Sequence, residues 1–226
     1  MSKKPIIVFE GIEGSGKSFH INNVANYLKK KNKKFIKIRE PGGDNNSEKI
    51  RKLILNNKSM FNKNTDLLLY LAARSENIEL IKKNLGKKII LIDRFTDSTI
   101  AYQHYGMGVD INLIKILNKF LLKNIKVDFT FLNLVNNKNL YDRLKKININ
   151  FTFLNLVNPK NMILRLKSRR ILNRYDKFDN NFYKKVQKGF LKISNKTPRK
   201  YMKINSNLSI INNEKIILNK IDKLIK

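Results

Sequence analysis

The sequence predicts an α/β protein built on a parallel sheet with helices on both faces, and three observations lead to this fold class. Short apolar runs alternate along the chain with longer stretches of helical spacing, which is the pattern of strand–helix–strand units. Turns that contain glycine or proline follow the first two apolar runs. The 226 residues, 42% of them hydrophobic, suffice for one large domain with a buried core, so we treat residues 1–226 as a single domain.

The elements of the first half are placed in order by the spacing of their apolar residues. We expect a strand over residues 5–10, a helix over 17–31, a strand over 34–39, helices near 47–55 and 65–84, and a strand over 88–92. In parallel sheets of this kind, ligands bind beyond the carboxyl ends of the strands. The turns at residues 11–18, 39–43 and 93–103 all follow predicted strands, so we expect them to line one crevice.

The octapeptide FTFLNLVN occurs twice, at residues 129–136 and 151–158. Two copies are too few for a solenoid, so the segment 129–158 indicates a tandem duplication within one strand–helix unit. The sheet has one position for this strand, and identical strands specify their register weakly. The first copy keeps Asp128 before its strand, whereas the second leads directly into a basic segment. We expect the second copy in the sheet, with residues 128–149 as an added strand–helix unit at the surface.

The end of the chain, residues 197–226, predicts a short strand and an amphipathic terminal helix. No residue pattern in this segment indicates chemistry. Its expected contribution is therefore structural.

Composition excludes several classes of site. The chain has no cysteine, which excludes a disulfide scaffold, a thiolate metal site and a cysteine nucleophile. Its two histidines, His20 and His104, are far apart in sequence, which argues against a multi-histidine metal site. The apolar runs are too short to span a bilayer, and the first is too short for a signal peptide. We expect a cytoplasmic protein that does not insert into membranes.

The formal net charge of +31 would suit a partner with a phosphate backbone. However, 38 of the 48 basic residues are lysines scattered along the whole chain and mixed with many Asn and Ile residues, all three of which have AT-rich codons. Scattered lysines are typical of a solvated surface. We therefore expect the charge to attract anionic ligands in general and do not expect specific nucleic-acid binding.

The turn after the first predicted strand fits the phosphate-binding pattern G-x-x-x-x-G-K-[ST] in full. Its glycines allow successive backbone N–H groups to surround a phosphate, and the helix that follows directs its positive end to the same anion. Lys17 would reach the β- and γ-phosphates of a nucleotide, and the Ser18 hydroxyl would bind Mg²⁺. The predicted ATP-binding residues of this loop are Gly11, Ile12, Glu13, Gly14, Ser15, Gly16, Lys17 and Ser18.

Further motifs give the chain a specific resemblance to one protein family. The stretches FEGIEG at 9–14, REPGG at 39–43, LLLYLAAR at 67–74 and DRFTDSTIAYQ at 93–103 occur in the order and at about the separations found in bacterial thymidylate kinases. The chain resembles this family over residues 5–110 and again over 158–190. The resemblance implies a P-loop NTPase-type fold, a mobile arginine-rich lid at about 165–177, and a homodimer. It implies transfer of the γ-phosphoryl group of ATP to dTMP with Mg²⁺, giving dTDP and ADP for dTTP biosynthesis.

The resemblance also implies an acceptor site for dTMP. Arg39, Arg51 and Arg94 would grip the acceptor phosphate, because the guanidinium fork suits a phosphate. Tyr70, where the family more often has Phe, would stack on the base, and Tyr102 would lie against the deoxyribose and exclude a 2′-hydroxyl. The remaining implied contacts are Glu13 to the sugar 3′-hydroxyl, Arg74 to a base carbonyl, Thr99 and Gln103 to the base edge, and Glu40, Pro41 and Ser98 as further lining.

Four residues are implied in catalysis: Lys17, Asp93, Arg94 and Arg169. Asp93 follows an apolar strand beside the phosphate loop, where it would hold Mg²⁺ with Ser18 or orient Arg94. One branch of the family places a transition-state arginine in the phosphate loop, at the position of Gly14 here, so this chain would supply it from the lid. Arg169 is our first choice, and Arg165 and Arg174 are alternatives with a predicted role in binding ATP.

Two other functions compete with this interpretation. A kinase for another nucleotide or for a deoxynucleoside would show its preference in a panel of acceptors. A catalytically impaired, nucleic-acid-binding protein on the same scaffold would retain DNA at physiological salt and release no ADP with dTMP.

Overall fold

A computed structural model describes residues 4–135 and 173–226. In these ranges the chain forms a five-stranded parallel sheet in the order β2-β3-β1-β4-β5. The strands are β1 (Ile6–Gly11), β2 (Phe35–Arg39), β3 (Ile89–Asp93), β4 (Phe129–Leu134) and β5 (Tyr201–Asn205). The helices are α1 (Lys17–Lys30), α2 (Asn45–Leu55), α3 (Lys63–Asn84), α4 (Thr96–Thr99), α5 (Ile111–Leu122), α6 (Asn180–Lys196) and α7 (Ile210–Ile225).

The alternation of side chains along β1 shows why helices cover both faces of the sheet. Ile7 and Phe9 are buried on one face, in a cluster with apolar residues of α1 and α7. Ile6 and Val8 are buried on the opposite face, in a cluster that includes Ile78 of α3. Because both faces are apolar, a central strand reads as a continuous hydrophobic run. The predicted fold class is therefore confirmed, and the three strands expected in the first half begin and end within a residue or so of their predicted bounds.

The duplicated octapeptide corrects one expectation. The first copy occupies the sheet position that we expected for the second: β4 lies between β1 and β5, with Phe131 opposite Phe9. Asp128 fixes this choice, because its carboxylate accepts a hydrogen bond from the backbone N of Ile6 at 2.9 Å and its own backbone N donates to Ile6 O at 3.0 Å. The short connection from α5 brings the first copy to this position. The second copy, at 151–158, lies outside the described residues.

The helices that follow β3 contain a feature that the sequence spacing did not indicate. After the single turn of α4, residues Ile100–Gly106 continue as a π-helix, which includes the AYQ part of the motif at 93–103. Segments of this kind occur often at functional sites. Helix α6, also not anticipated, packs against this π-helix through Phe182 and Val186.

The terminal strand and helix predicted over 197–226 are confirmed as β5 and α7. Within the described ranges, no helix combines the length and the apolar character needed to cross a bilayer.

Candidate active site

Three turns meet at the carboxyl edge of the sheet, as the sequence predicts. Asp93 at the end of β3 lies opposite both Phe9 of β1 and Arg39 of β2 in the strand register. Two backbone hydrogen bonds join the turns themselves, from Glu40 N to Asp93 O at 2.9 Å and from Arg94 N to Phe9 O at 3.0 Å. The turns that were predicted to line one crevice therefore lie side by side and are held together by backbone contacts.

The phosphate loop follows β1 and opens α1. Gly11 has φ +136° and lies so close to β4 that a Cβ would collide with the backbone O of Asn133, so only glycine fits there. The loop is fixed from two sides, because Asn133 Nδ2 and Ser206 Oγ both donate hydrogen bonds to Ser15 O, at 3.3 and 2.7 Å. Residues on two neighbouring strands or their ends thus hold the loop in shape before any ligand binds.

Lys17 is buried at the start of α1 and points back across the loop, where its Nζ donates to Ile12 O at 2.8 Å. Burial lowers the pKa of Lys17 to about 8, and the nearby positive charge of Arg94 adds to this effect. Phosphate oxygens would replace the lost solvation of the ammonium group. The ammonium is therefore placed in a position that favours an anionic ligand.

Ser18 and Asp93 form the predicted metal-binding pair. Ser18 Oγ donates to Asp93 Oδ2 at 3.2 Å. The second carboxylate oxygen, Oδ1, is buried, and no hydrogen bond reaches it from the described residues. A hydroxyl and a carboxylate oxygen are ligands that Mg²⁺ accepts together with phosphate oxygens and water. The described ranges contain no group of three His, Cys, Asp or Glu side chains that could hold a metal without such a substrate.

Arg94 and Glu13 form an ion pair at the mouth of the phosphate loop, with Nη2 and Oε1 2.7 Å apart. Arg94 has φ +66°, donates to Gly11 O at 3.0 Å, and lies 5.1 Å from the centre of the Tyr102 ring. Tyr102 donates its hydroxyl proton to the other Glu13 oxygen. Burial opposes ionisation of Glu13, but the charges of Arg94 and Lys17 outweigh it and lower the pKa of that carboxyl.

Glu10 organises the turn that carries Arg94, a role that motif matching alone did not predict. Its buried carboxylate accepts hydrogen bonds from the backbone N of Phe95 at 2.8 Å and from the Ser98 hydroxyl at 2.5 Å. Burial, with the nearby charge of Asp97, raises the pKa of Glu10 to about 7. Ser98, predicted to line the acceptor site, is therefore bound to Glu10 in this structure.

Arg74 is 2% exposed and lies at the centre of a polar cluster. Its guanidinium donates to Glu40 at 2.8 Å, to Thr99 Oγ1 at 2.9 Å and to Asn118 Oδ1 at 2.7 Å. Three predicted site residues are thus brought together. Asn118, on α5, is an additional member that lies 44 residues along the chain from Arg74 and carried no motif to identify it.

Arg39 and Arg51 lie near the REPGG turn but make contacts within the protein. Arg39 binds Glu48 through two nitrogens, at 2.9 to 3.1 Å, and about half of its side chain is exposed. Arg51 donates to the backbone O of Pro41 at 2.6 Å. The Glu40–Pro41 peptide is cis. In this structure both arginines are therefore held by groups of the protein, Glu48 and the Pro41 carbonyl.

Three tyrosine rings, those of Tyr70, Tyr102 and Tyr175, pack against one another on the side that is predicted to bind the acceptor. The Tyr175 ring lies perpendicular to Tyr70, with centroids 5.9 Å apart, and makes an edge contact with Tyr102 at 6.1 Å. Gln103, buried behind them, donates to Asp66 at 3.1 Å. Tyr175 and Asp66 are functional candidates that sequence reasoning missed. Tyr175 follows Arg174 in the arginine-rich stretch, and that position could have identified it as a candidate. No sequence pattern links Asp66 to Tyr175.

Arg174, predicted to bind ATP, forms an ion pair with Asp66 and lies over the rings of Phe61 and Tyr175. The lid predicted at 165–177 is described only from residue 173, where a 3₁₀ turn spans Arg174–Lys177. Arg165 and Arg169 lie outside the described residues.

Comparisons with known proteins agree with the motifs. A family model described as thymidylate kinase matches residues 9–151. A thymidylate kinase of Thermosipho africanus is 37% identical over 94% of this chain and 92% of its own length, and one of Wolbachia pipientis wMel is 38% identical over 85% and 86%. The crystal structure of thymidylate kinase from Ehrlichia chaffeensis matches with a TM-score of 0.69 at 29% identity, covering 97% of this chain and 98% of that one.

Proposed function

The chain belongs to the thymidylate kinase family and phosphorylates dTMP with ATP as donor, and we propose that it does so with the groups gathered at the carboxyl edge of the sheet. The observation that carries this assignment of residues is the juxtaposition of Lys17, Arg94 and Glu13 at the phosphate loop. These groups lie beside Tyr102, and Tyr175 joins that ring to Tyr70. The donor and acceptor phosphates would meet between the phosphate-loop groups and these tyrosines.

In the reaction, an oxygen of the dTMP phosphate attacks the γ-phosphorus of ATP, and the bond from that phosphorus to the β–γ bridging oxygen breaks. The acceptor is already an anion, so no general base is required. Catalysis then consists of positioning and of neutralising charge. Lys17 supports the donor phosphates, and Arg94, by exchanging part of its contact with Glu13, holds the acceptor phosphate. Arg39 and Arg51 add positive charge from the REPGG turn.

Selectivity for thymidylate would come from the other side of the crevice. Tyr70 stacks on the base, and Arg74, Thr99 and Gln103 supply hydrogen bonds for its edge. Tyr102 occupies the space that a 2′-hydroxyl would need. Its hydrogen bond to Glu13 fixes the ring, which supports a steric role. Glu13 keeps an ionised oxygen near the position expected for the sugar 3′-hydroxyl.

Mg²⁺ fits the Ser18–Asp93 pair, because Asp93 keeps a buried carboxylate oxygen that no described residue satisfies. When bound, the ion supplies charge neutralisation at the phosphate oxygens. The chain's own part is to hold these two oxygens in place at the end of β3 and the start of α1.

We predict that Arg169 is the transition-state arginine, with Arg165 as the alternative. Both residues lie outside the described ranges. Arg174 is less suited to that role in this arrangement, since Asp66 neutralises it. The lid at 165–177 and the duplicated segment at 129–158 belong, in our proposal, to one domain over 1–226.

We propose that the chain acts as a homodimer in the cytoplasm, where ATP and dTMP are present. An exposed apolar stripe on α5 supports a second copy as partner. Leu113, Ile116 and Phe120 recur at helical spacing and are 40%, 65% and 68% exposed. Sedimentation of the purified protein would give about twice the 26.6 kDa of one chain if this is correct.

A coupled assay of ADP release with ATP and Mg²⁺ tests the proposed function. The acceptor panel is dTMP, dUMP, dCMP and thymidine, and we expect the highest kcat/KM with dTMP. A higher value with another acceptor would support the alternative kinase. Duplex DNA binding that persists at physiological salt, without ADP release on addition of dTMP, would support the nucleic-acid-binding alternative.

A further inference from the structure

Asp66 is a buried carboxylate behind the acceptor side of the crevice, in the first turn of α3. It is 1% exposed and has three described side-chain partners. Oδ2 accepts hydrogen bonds from the Tyr175 hydroxyl at 2.5 Å and from Gln103 Nε2 at 3.1 Å, and Oδ1 pairs with Arg174. A buried carboxylate is costly unless it is paired and hydrogen-bonded, and here the contacts tie two other segments to α3, the one with Gln103 and the one with Arg174 and Tyr175.

The position of Asp66 on α3 points to the acceptor site. Asp66, Tyr70 and Arg74 follow each other at four-residue intervals, so they lie on one face of the helix. The second and third residues of this stripe are the proposed contacts of the base. The first residue would lie one turn away from the base-stacking ring.

Tyr175 links the first two residues of the stripe. Its hydroxyl donates a hydrogen bond to Asp66, and its ring lies perpendicular to the Tyr70 ring with the centroids 5.9 Å apart. A tyrosine hydroxyl carries one proton, and an ionised carboxylate can only accept, so Tyr175 donates its proton to Asp66. This hydrogen bond fixes the Tyr175 ring, and the edge contact of that ring gives the Tyr70 ring one preferred orientation.

We propose that Asp66 is a positioning residue for the acceptor nucleotide. By its hydrogen bond with the Tyr175 hydroxyl it fixes the ring that packs against Tyr70, and through Gln103 it orients the side-chain amide predicted to reach the base edge. This inference rests on the proposed function, since it assigns Tyr70 and Gln103 to the base. Asp66 itself touches no substrate. Its effect is on the affinity for the acceptor, not on the phosphate-transfer step.

The test compares the parent with Asp66→Asn, Tyr175→Phe and the double variant. We measure kcat, KM for dTMP and for ATP, and the Kd of dTMP by calorimetry. Tyr175→Phe removes one oxygen and preserves the ring packing, so it keeps the test informative if Asp66→Asn folds poorly. We expect KM and Kd for dTMP to rise about fivefold in Tyr175→Phe and about tenfold in Asp66→Asn, as for the loss of one hydrogen bond or slightly more.

Two further features separate positioning from general stability. KM for ATP and kcat at saturating dTMP stay within about twofold of the parent, and the double variant is no worse than Asp66→Asn alone, because both changes break one contact. The chain offers a matched control. Asp222 accepts from the Tyr27 hydroxyl at 2.6 Å and from Lys31 at 2.9 Å, so Tyr27→Phe and Asp222→Asn remove a similar tyrosine–carboxylate–cation set far from the crevice.

The controls should leave all kinetic constants unchanged. Equal rises in both KM values, additive effects in the double variant, or lower thermal stability with an unchanged Kd for dTMP would overturn the positioning role while leaving the proposed function intact. A parent that neither binds nor phosphorylates dTMP would overturn the proposed function, and this inference with it.

Discussion

Truncating Phe131 tests which copy of the duplicated octapeptide forms β4. Phe131 is fully buried, stacks on Phe9 with ring centroids 5.1 Å apart, and makes an edge contact with Phe129 at 5.3 Å. A Phe→Ala change at such a site costs about 3–5 kcal/mol of unfolding free energy. For a chain of this size, that corresponds to a fall in Tm of roughly 10 °C. Differential scanning calorimetry or urea unfolding would measure it.

The duplication provides an internal control, because Phe153 has the same sequence neighbours in the second copy. We expect Phe153→Ala to change the unfolding free energy by less than about 0.5 kcal/mol, as for a site outside the sheet. If Phe153→Ala is the more damaging variant, the second copy forms the strand and the reasoning from Asp128 fails. If Phe131→Ala is mild while the double variant is severe, the intact second copy replaces the first.

A deletion extends this test. Removing residues 129–150 leaves Asp128 followed by one complete FTFLNLVN, and removing 137–158 gives the same protein. The remaining copy can therefore occupy β4 with its Asp128 contacts intact. We expect a folded kinase at least as stable as the parent. Insoluble or inactive protein would show that the additional residues are a required part of the fold.

Three predictions concern the chemistry. Arg94→Lys should lower kcat/KM for dTMP by an amount that corresponds to about 2–3 kcal/mol of transition-state stabilisation, because an ammonium group cannot replace the guanidinium fork. KM for ATP should change little. Equal effects on both substrates would indicate a structural role. Tyr102→Ala should reduce the preference for dTMP over its ribonucleotide analogue, measured as a ratio of kcat/KM values, and an unchanged ratio would locate the steric exclusion elsewhere. The pKa of Lys17 is about 8, and bound phosphates favour its charged form. ATP binding at pH 8 should therefore take up about half a proton, and the affinity for ATP should fall at higher pH. Calorimetry in buffers of different ionisation enthalpy measures the proton uptake, and a value of zero would contradict this prediction.

Local patterns predicted the parts of the fold that depend on neighbouring residues. The strands of the first half are continuous apolar runs because both faces of the sheet are covered, and the phosphate loop is encoded within eight residues. The choice between two identical octapeptides was not predictable in this way. It depends on Asp128 and Ile6, which are 122 residues apart.

The same limit applies to the site. Motifs identified Lys17, Arg94 and Tyr102, but the groups that hold these motifs in place come from distant segments. Asp66 and Tyr175 are 109 residues apart, and the cluster around Arg74 is completed by α5. Single buried polar residues of this kind have no spacing pattern, because each satisfies a partner on another element.

The most direct measurement follows the γ-phosphoryl group itself. ATP labelled at the γ-phosphorus is incubated with dTMP, Mg²⁺ and either the parent or Lys17→Ala, and labelled dTDP is quantified against ADP. We expect equimolar labelled dTDP and ADP from the parent, and less than about a tenth of that rate from a Lys17→Ala protein with an unchanged fold by circular dichroism. Label that stays on ATP or appears as free phosphate with the parent, or full transfer by Lys17→Ala, would contradict it.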